Sequence, residues 1–164
     1  MTATPEDAQT ATPDAGTETG TVAALQAALR AEHAAVYAYT YIGARSEDER
    51  RDRCYEHLDA HRAQRDMLRI EIGDRGTKPD AGDAAYDLPE SDSGSDLDGY
   101  ARRVERQAAQ AYLELAAAPN TAVRDLALRS LQDTTLRSME WGGELGTFPG
   151  FPGGSPPAQV QADS

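Results

Sequence analysis

The sequence predicts an all-α protein folded as an up-down-down-up four-helix bundle, and three observations carry that prediction. Four stretches repeat apolar residues at alternating steps of three and four, the spacing that keeps side chains on one helix face. The connection between the second and third stretches is long, residues 75–95, while the other two breaks are short. Aromatic residues make up only 6% of the chain and alanine is abundant, which favours thin, closely approaching helices over a sheet sandwich.

Residues 1–20 combine Thr, Ala, Pro, Asp and Gly without hydrophobic periodicity, so an acidic disordered tail is expected there. Helix one should run from near Thr21 to about Ala44, free of proline and rich in alanine and leucine. Its inner stripe reads Leu25, Leu29, Glu32, Val36, Tyr39 and Gly43, which aims a carboxylate at the core. Helix two opens at Ser46, where Ser46 and Glu49 have the spacing of a capping box, and ends near Gly73 or Gly76. Cys54, Leu58, His61, Arg65, Leu68 and Ile72 share its inner face, with His57 one turn before His61.

The stretch 75–95 holds glycines, prolines and acids but no sustained period. Such a length is uncommon inside a compact domain, and two parallel helices explain it, because a chain joining them must run the length of the bundle. Tyr86 and Leu88 are its expected anchors. Ser95 with Asp98 start helix three, whose inner residues are Leu97, Ala101, Val104, Ala108, Ala111 or Tyr112 and Leu115, with Glu105 beside them. Helix four begins at Asn120 or Thr121 after Pro119 and carries Val123, Leu126, Ala127, Ser130, Asp133, Thr134, Arg137 and Trp141. Beyond Trp141, repeated Gly and Pro forbid further helix. Phe148 and Phe151 of the FPGFP segment are expected to cover one end of a bundle spanning residues 21–152, leaving 153–164 as a flexible tail.

The formal net charge of −12 is uneven: residues 74–98 carry −6, whereas residues 99–139 carry +2. No concentrated basic face exists, so nucleic acid is not an expected partner. No stretch approaches the roughly 20 apolar residues that span a bilayer. The first residues have neither a basic start nor an apolar run, and Cys54 is the only cysteine, so no intramolecular disulfide or multi-thiolate metal site can form. A cytoplasmic location is expected. Phosphate-binding loops and serine-nucleophile motifs are absent from the sequence. The small-residue run of Ala108, Ala109, Ala111 and Ala116 to Ala118 is a candidate homodimer face.

Taken as a set, AEHAAVYAYTYIGAR on helix one, HRAQRD from His61, the AAYDLP connection, VERQAAQAY on helix three, LALRSLQD before Trp141 and the closing FPGFP resemble the ferritin-like superfamily. More narrowly they resemble a ferritin-like domain family of unknown function found chiefly in actinobacteria. In di-iron members of the superfamily, each of two helices gives a Glu and each of the other two gives Glu-x-x-His. The resemblance implies that Glu32 and Glu105 match the single acids, His61 the helix-two histidine and Asp133 the helix-four acid. Leu58 and Leu136 stand where a Glu and a His belong, so the two-metal pattern is incomplete.

Two readings follow. Glu32, His61, Glu105 and Asp133, with His57 as an extra ligand, could hold a single Fe, Mn or Zn ion in a protein linked to iron or oxidative stress, a metal-dependent oxidoreductase if catalytic. Alternatively, the bundle is structural or binding rather than catalytic, and Glu32 and Glu105 accept hydrogen bonds from His61, Tyr39, Tyr112 or an arginine such as Arg65 in a metal-free cluster. The sequence favours the second.

Overall fold

The computed structural model describes residues 17–144. Phe148, Phe151 and the FPGFP cover, the tail 153–164 and most of the expected N-terminal tail lie outside the described residues. Four helices form, α1 (Glu18–Ala44), α2 (Asp48–Asp74), α3 (Gly94–Leu115) and α4 (Thr121–Glu140), with no strand among the described residues. None of these helices is long and apolar enough to cross a membrane.

Helix starts follow local chemistry. Thr17 caps α1 by accepting from the Gly20 N–H, so α1 begins at Glu18, earlier than Thr21. Ser93 caps α3 and Asn120 caps α4 in the same way. At α2 the expected capping box does not form: the buried Ser46 hydroxyl donates instead to the Ile42 carbonyl, and Glu47 takes the cap position without a side-chain bond. Asp48 then enters α2 with a φ of 48°, a left-handed conformation that Asp tolerates better than most residues.

Two apolar clusters fix the topology. One joins Leu25 and Leu29 of α1, Leu68 and Ile72 of α2, Tyr112 and Leu115 of α3, and Val123 and Ala127 of α4. The other joins Tyr39 and Ile42, Cys54 and Leu58, Leu97 and Val104, and Trp141. The start of α1 therefore meets the ends of α2 and α3 and the start of α4, which makes the path up-down-down-up. α1 packs on α2 and α3, and α3 on α4. Buried Ala28, Ala35 and Ala38 on α1, with Ala101, Ala108 and Ala111 on α3, keep the inner faces of these helices thin. Ala108, Ala111 and Ala118 are thus buried inside the bundle, where short side chains let backbones approach, and are not available as an outer face.

The crossover follows α1 from its first half to its end. Gln26 bonds to the Lys78 carbonyl and the Asp80 N–H, Arg30 pairs with Asp80 at 2.6 Å, and Tyr41 and Arg45 hold Asp92 at 2.6 and 3.0 Å. Tyr86 anchors it by packing on Tyr37, whereas Leu88 is left exposed. Replacing Asn120 by Ala removes a cap and is expected to cost about 1 kcal/mol, a Tm loss of about 2–4 °C in a thermal melt. Glu49→Ala, at the box that does not form, should leave Tm within about 1 °C.

Candidate functional site

Between the two apolar clusters lies a layer of charge. α1 contributes Glu32, α2 His61 and α3 Glu105, each with no exposed surface. His61 donates from Nδ1 to Glu32 Oε2 at 2.6 Å and from Nε2 to Glu105 Oε1 at 3.0 Å. A carboxylate only accepts, so both ring nitrogens carry hydrogen and His61 is an imidazolium. The remaining carboxylate oxygens are occupied too. The Tyr112 hydroxyl donates to Glu32 Oε1 and the Tyr39 hydroxyl to Glu105 Oε1, both at 2.6 Å. From α4, Arg137 Nε approaches both Glu105 oxygens at 3.2 and 3.3 Å, and its Nη2 donates to Gln64 Oε1 at 3.1 Å. Two carboxylates, one imidazolium and one guanidinium leave the layer neutral.

Protonation states follow from this packing. Burial by itself pushes the His61 imidazole down, but the Glu32 charge and hydrogen bonds to Glu105 and Glu32 outweigh it and lift its pKa to about 9. Burial likewise works to raise Glu105, yet the His61 bond and charge, with Arg137 and Tyr39, hold it below the ordinary carboxylate value. Tyr39 and Tyr112 are raised by burial and by the neighbouring Glu105 and Glu32 charges, which keeps both hydroxyls protonated as donors.

His57 behaves differently. The Trp141 indole N–H, which can only donate, points at His57 Nδ1 from 3.1 Å. The ring hydrogen therefore sits on Nε2, which donates to Glu140 at 3.0 Å. Burial lowers the His57 pKa despite opposing pulls from Glu105 and Glu140, so this imidazole is neutral. It abuts Tyr39 and does not join the Glu32 and Glu105 carboxylates as a further ligand.

The structure brings Glu32, His61 and Glu105 together but leaves Asp133 exposed. The inward residues of α4 are Val123, Ala127, Ser130, Thr134 and Arg137. Thr134 and Arg137, three residues apart, hold the inner register, one position later than the pair Asp133 and Leu136, and Leu136 is 51% exposed. The seam from Val123 to Trp141 carried that register. Arg137 lies on the predicted helix-four stripe but not among the candidate site residues, because a guanidinium at a core position is uncommon. Arg65, the expected arginine, pairs with Asp66 instead, and Gln64 takes the buried place beside it.

A di-iron centre does not fit this donor set. Leu58 and Thr134 stand where each Glu-x-x-His motif would have its Glu, Arg137 stands where the second would have its His, and both His61 nitrogens are engaged by carboxylates. Among the described residues no group of three or more His, Cys, Asp or Glu side chains is arranged to hold a metal ion.

Four helices in this order, with a carboxylate and histidine layer at mid-bundle, have the ferritin-like fold. Within that class, the chain belongs to the family described as a domain of unknown function, DUF4439, whose model matches residues 24–153. It is similar to the crystal structure of a conserved hypothetical protein, rv2844, from Mycobacterium tuberculosis, with a TM-score of 0.74 and 27% identity over 77% of this chain and 97% of that one. It shares the fold of a dodecameric thioferritin, the bacterioferritin-related protein from Bacteroides fragilis, with a TM-score of 0.68 and 20% identity over 76% of this chain and 83% of that one. No curated protein matches the chain.

Two outcomes test the charge layer. The folded chain holds the His61 proton to about pH 9, whereas an unfolded imidazole releases it near 6.5. Its contribution is therefore complete below about pH 6.5 and is lost as pH rises through about 9. His57 and Glu105, whose pKa values are lowered, act in the opposite sense at lower pH. Between pH 6.5 and 9 the wild-type Tm is expected to fall by about 5–10 °C, for a loss of roughly 3 kcal/mol, and His61→Gln to flatten that slope. A wild-type Tm that stays level across this window would contradict the imidazolium. Arg137→Ala leaves Glu105 short of a countercharge, and urea unfolding at pH 7 should register a loss of about 3–5 kcal/mol.

Proposed function

We propose that this chain is a non-catalytic ferritin-like bundle in which a proton on His61 and the guanidinium of Arg137 take the place of metal cations, and that it acts by binding a protein partner. One observation supports this above the others: both His61 ring nitrogens donate to carboxylates, at 2.6 and 3.0 Å, in a cluster whose charges already cancel. An ion entering between Glu32 and Glu105 must displace the His61 proton and then face Arg137. Either step works against binding. Buried polar clusters with every member satisfied act to rigidify and specify a core, which suits a scaffold.

The partner surface in this reading is the outer side of α2 and α4. Met67 and Ile70 on α2, and Leu128, Leu136 and Met139 on α4, are large apolar residues left exposed. Large apolar groups left exposed on these two helices are candidate contacts for association. That the Bacteroides fragilis thioferritin is dodecameric supports a second copy as the first partner to test. A cytoplasmic location goes with this reading, supported by a lone Cys54 thiol that is buried and held protonated by burial, with a pKa raised to about 11.

Elemental analysis of the untagged protein, as purified and after incubation with Fe(II), Mn(II) or Zn(II), is expected to find no stoichiometric metal and no rise in Tm. One ion per chain that is lost in Glu32→Ala would replace this reading with a mononuclear site on Glu32, His61 and Glu105.

A further inference from the structure

A groove of about 510 Å³ runs between the second half of α1 and the crossover, away from the charge layer. Its walls are largely tyrosine. Tyr37 and Tyr86 face each other with ring centroids 5.2 Å apart, and Tyr41 continues the wall toward Arg45, whose guanidinium lies 3.6 Å over its ring. The floor is Val36, Thr40 and Ala44, and the Thr40 hydroxyl is turned back to the Val36 carbonyl, leaving the floor mostly apolar. Gly82 lets the crossover close on His33, because a Cβ there would fall 3.1 Å from His33 Nδ1. Tyr100 stands against Tyr41, ring centroids 6.3 Å apart, and its buried hydroxyl has no hydrogen-bond partner among the described residues.

Tyrosine-walled grooves of this kind recognise extended, proline-containing chains, whose low-entropy backbone lies flat against aromatic faces. The chain carries such a segment. Residues 145–162 contain no charged side chain, and TFPGFPG at 147–153 alternates phenylalanine, proline and glycine. The family model runs to residue 153, past the last described residue, Glu144, so this segment belongs to the family's shared sequence.

From these observations we infer that the segment Thr147 to Pro152 of the same chain docks in the groove, setting Phe151 among Tyr37, Tyr41 and Tyr86. Geometry permits it. The groove's far end, at Ala44 and Arg45, lies at the same end of the bundle as the close of α4, where Ile42, Leu97 and Trp141 meet in one cluster. Gly142, with a φ of 78°, turns the chain out of α4, and Arg102 of α3 binds the Trp141 carbonyl, so the exit lies on the α3 side. From α4 across α3 to α1 is two interhelical steps, about 16–20 Å. The seven residues from Glu144 to Phe151 extend about 23–25 Å. A backbone carbonyl laid beside Tyr41 would also supply an acceptor on the side where Tyr100 lacks one.

Amide spectra of the ¹⁵N-labelled full chain test the seat. Replacing Phe148 and Phe151 by Ala should shift the amides of Tyr37, Tyr41, Gly82 and Tyr86, far in sequence from the change. It should also lower Tm by a few degrees, and by nothing further in a Tyr37→Ala, Tyr86→Ala background, because interacting sites are not additive. Shifts confined to the end of α4, or fully additive Tm losses, would overturn the proposal. Contacts seen only between differently labelled copies in a chain that sizes as a dimer would overturn the intramolecular seat in favour of exchange between copies.

Discussion

Ionised groups cannot be taken into a helical core singly, and the rest of this bundle is arranged around that constraint. The cost of desolvating one carboxylate amounts to several kcal/mol even after relaxation, and it is offset only if an opposite charge and enough hydrogen bonds arrive with it. Here Glu32 and Glu105 are buried together, 29 and 44 residues from the histidine that bridges them. Each of the four helices must deliver a side chain to the same layer. The layer therefore fixes register as well as charge, since sliding any one helix would strand a partner.

Division of labour among the donors follows from their chemistry. A hydroxyl held far above its ordinary pKa is a permanent donor, and Tyr39 and Tyr112 serve each carboxylate in that role. His61 supplies two opposed N–H groups and so can span two acids, as no other side chain of its size does. Arg137 is long enough to reach from α4 to Glu105 while binding Gln64 on α2, and this bridge joins the two helices that the alanine-lined contacts leave apart. The nearby His57 shows the opposite solution: burial lowers its pKa, and the Trp141 indole N–H points at its unprotonated Nδ1. Two histidines one turn apart thus hold different charges because of what faces them.

The crossover has its own logic. Two of its acids are held by donors on α1, Asp80 by Arg30 and Asp92 by both Tyr41 and Arg45. Exposed pairs of this kind contribute little to stability, so their effect is to lay an otherwise unperiodic strap along one helix. Laying it there leaves a tyrosine-walled channel that reaches the end of the bundle where α4 closes.

The four helices, their order and the placing of Glu32, His61 and Glu105 were legible in the sequence, because apolar periodicity records which face of each helix is inside. The seam through Ala127, Ser130 and Thr134 points Arg137 inward and Asp133 outward, whereas the family pattern points to Asp133. Caps were legible at Asn120 but not at Ser46, whose hydroxyl had a nearer acceptor in the preceding helix. Which alanines would be spent between α1 and α3 was not legible, since a short side chain looks alike on a surface and at a helix contact. By itself the sequence determined an all-α bundle with acids and histidines aimed at its centre. Only the tertiary structure decided that these groups neutralise one another, because charge balance depends on distances between helices that no single segment encodes.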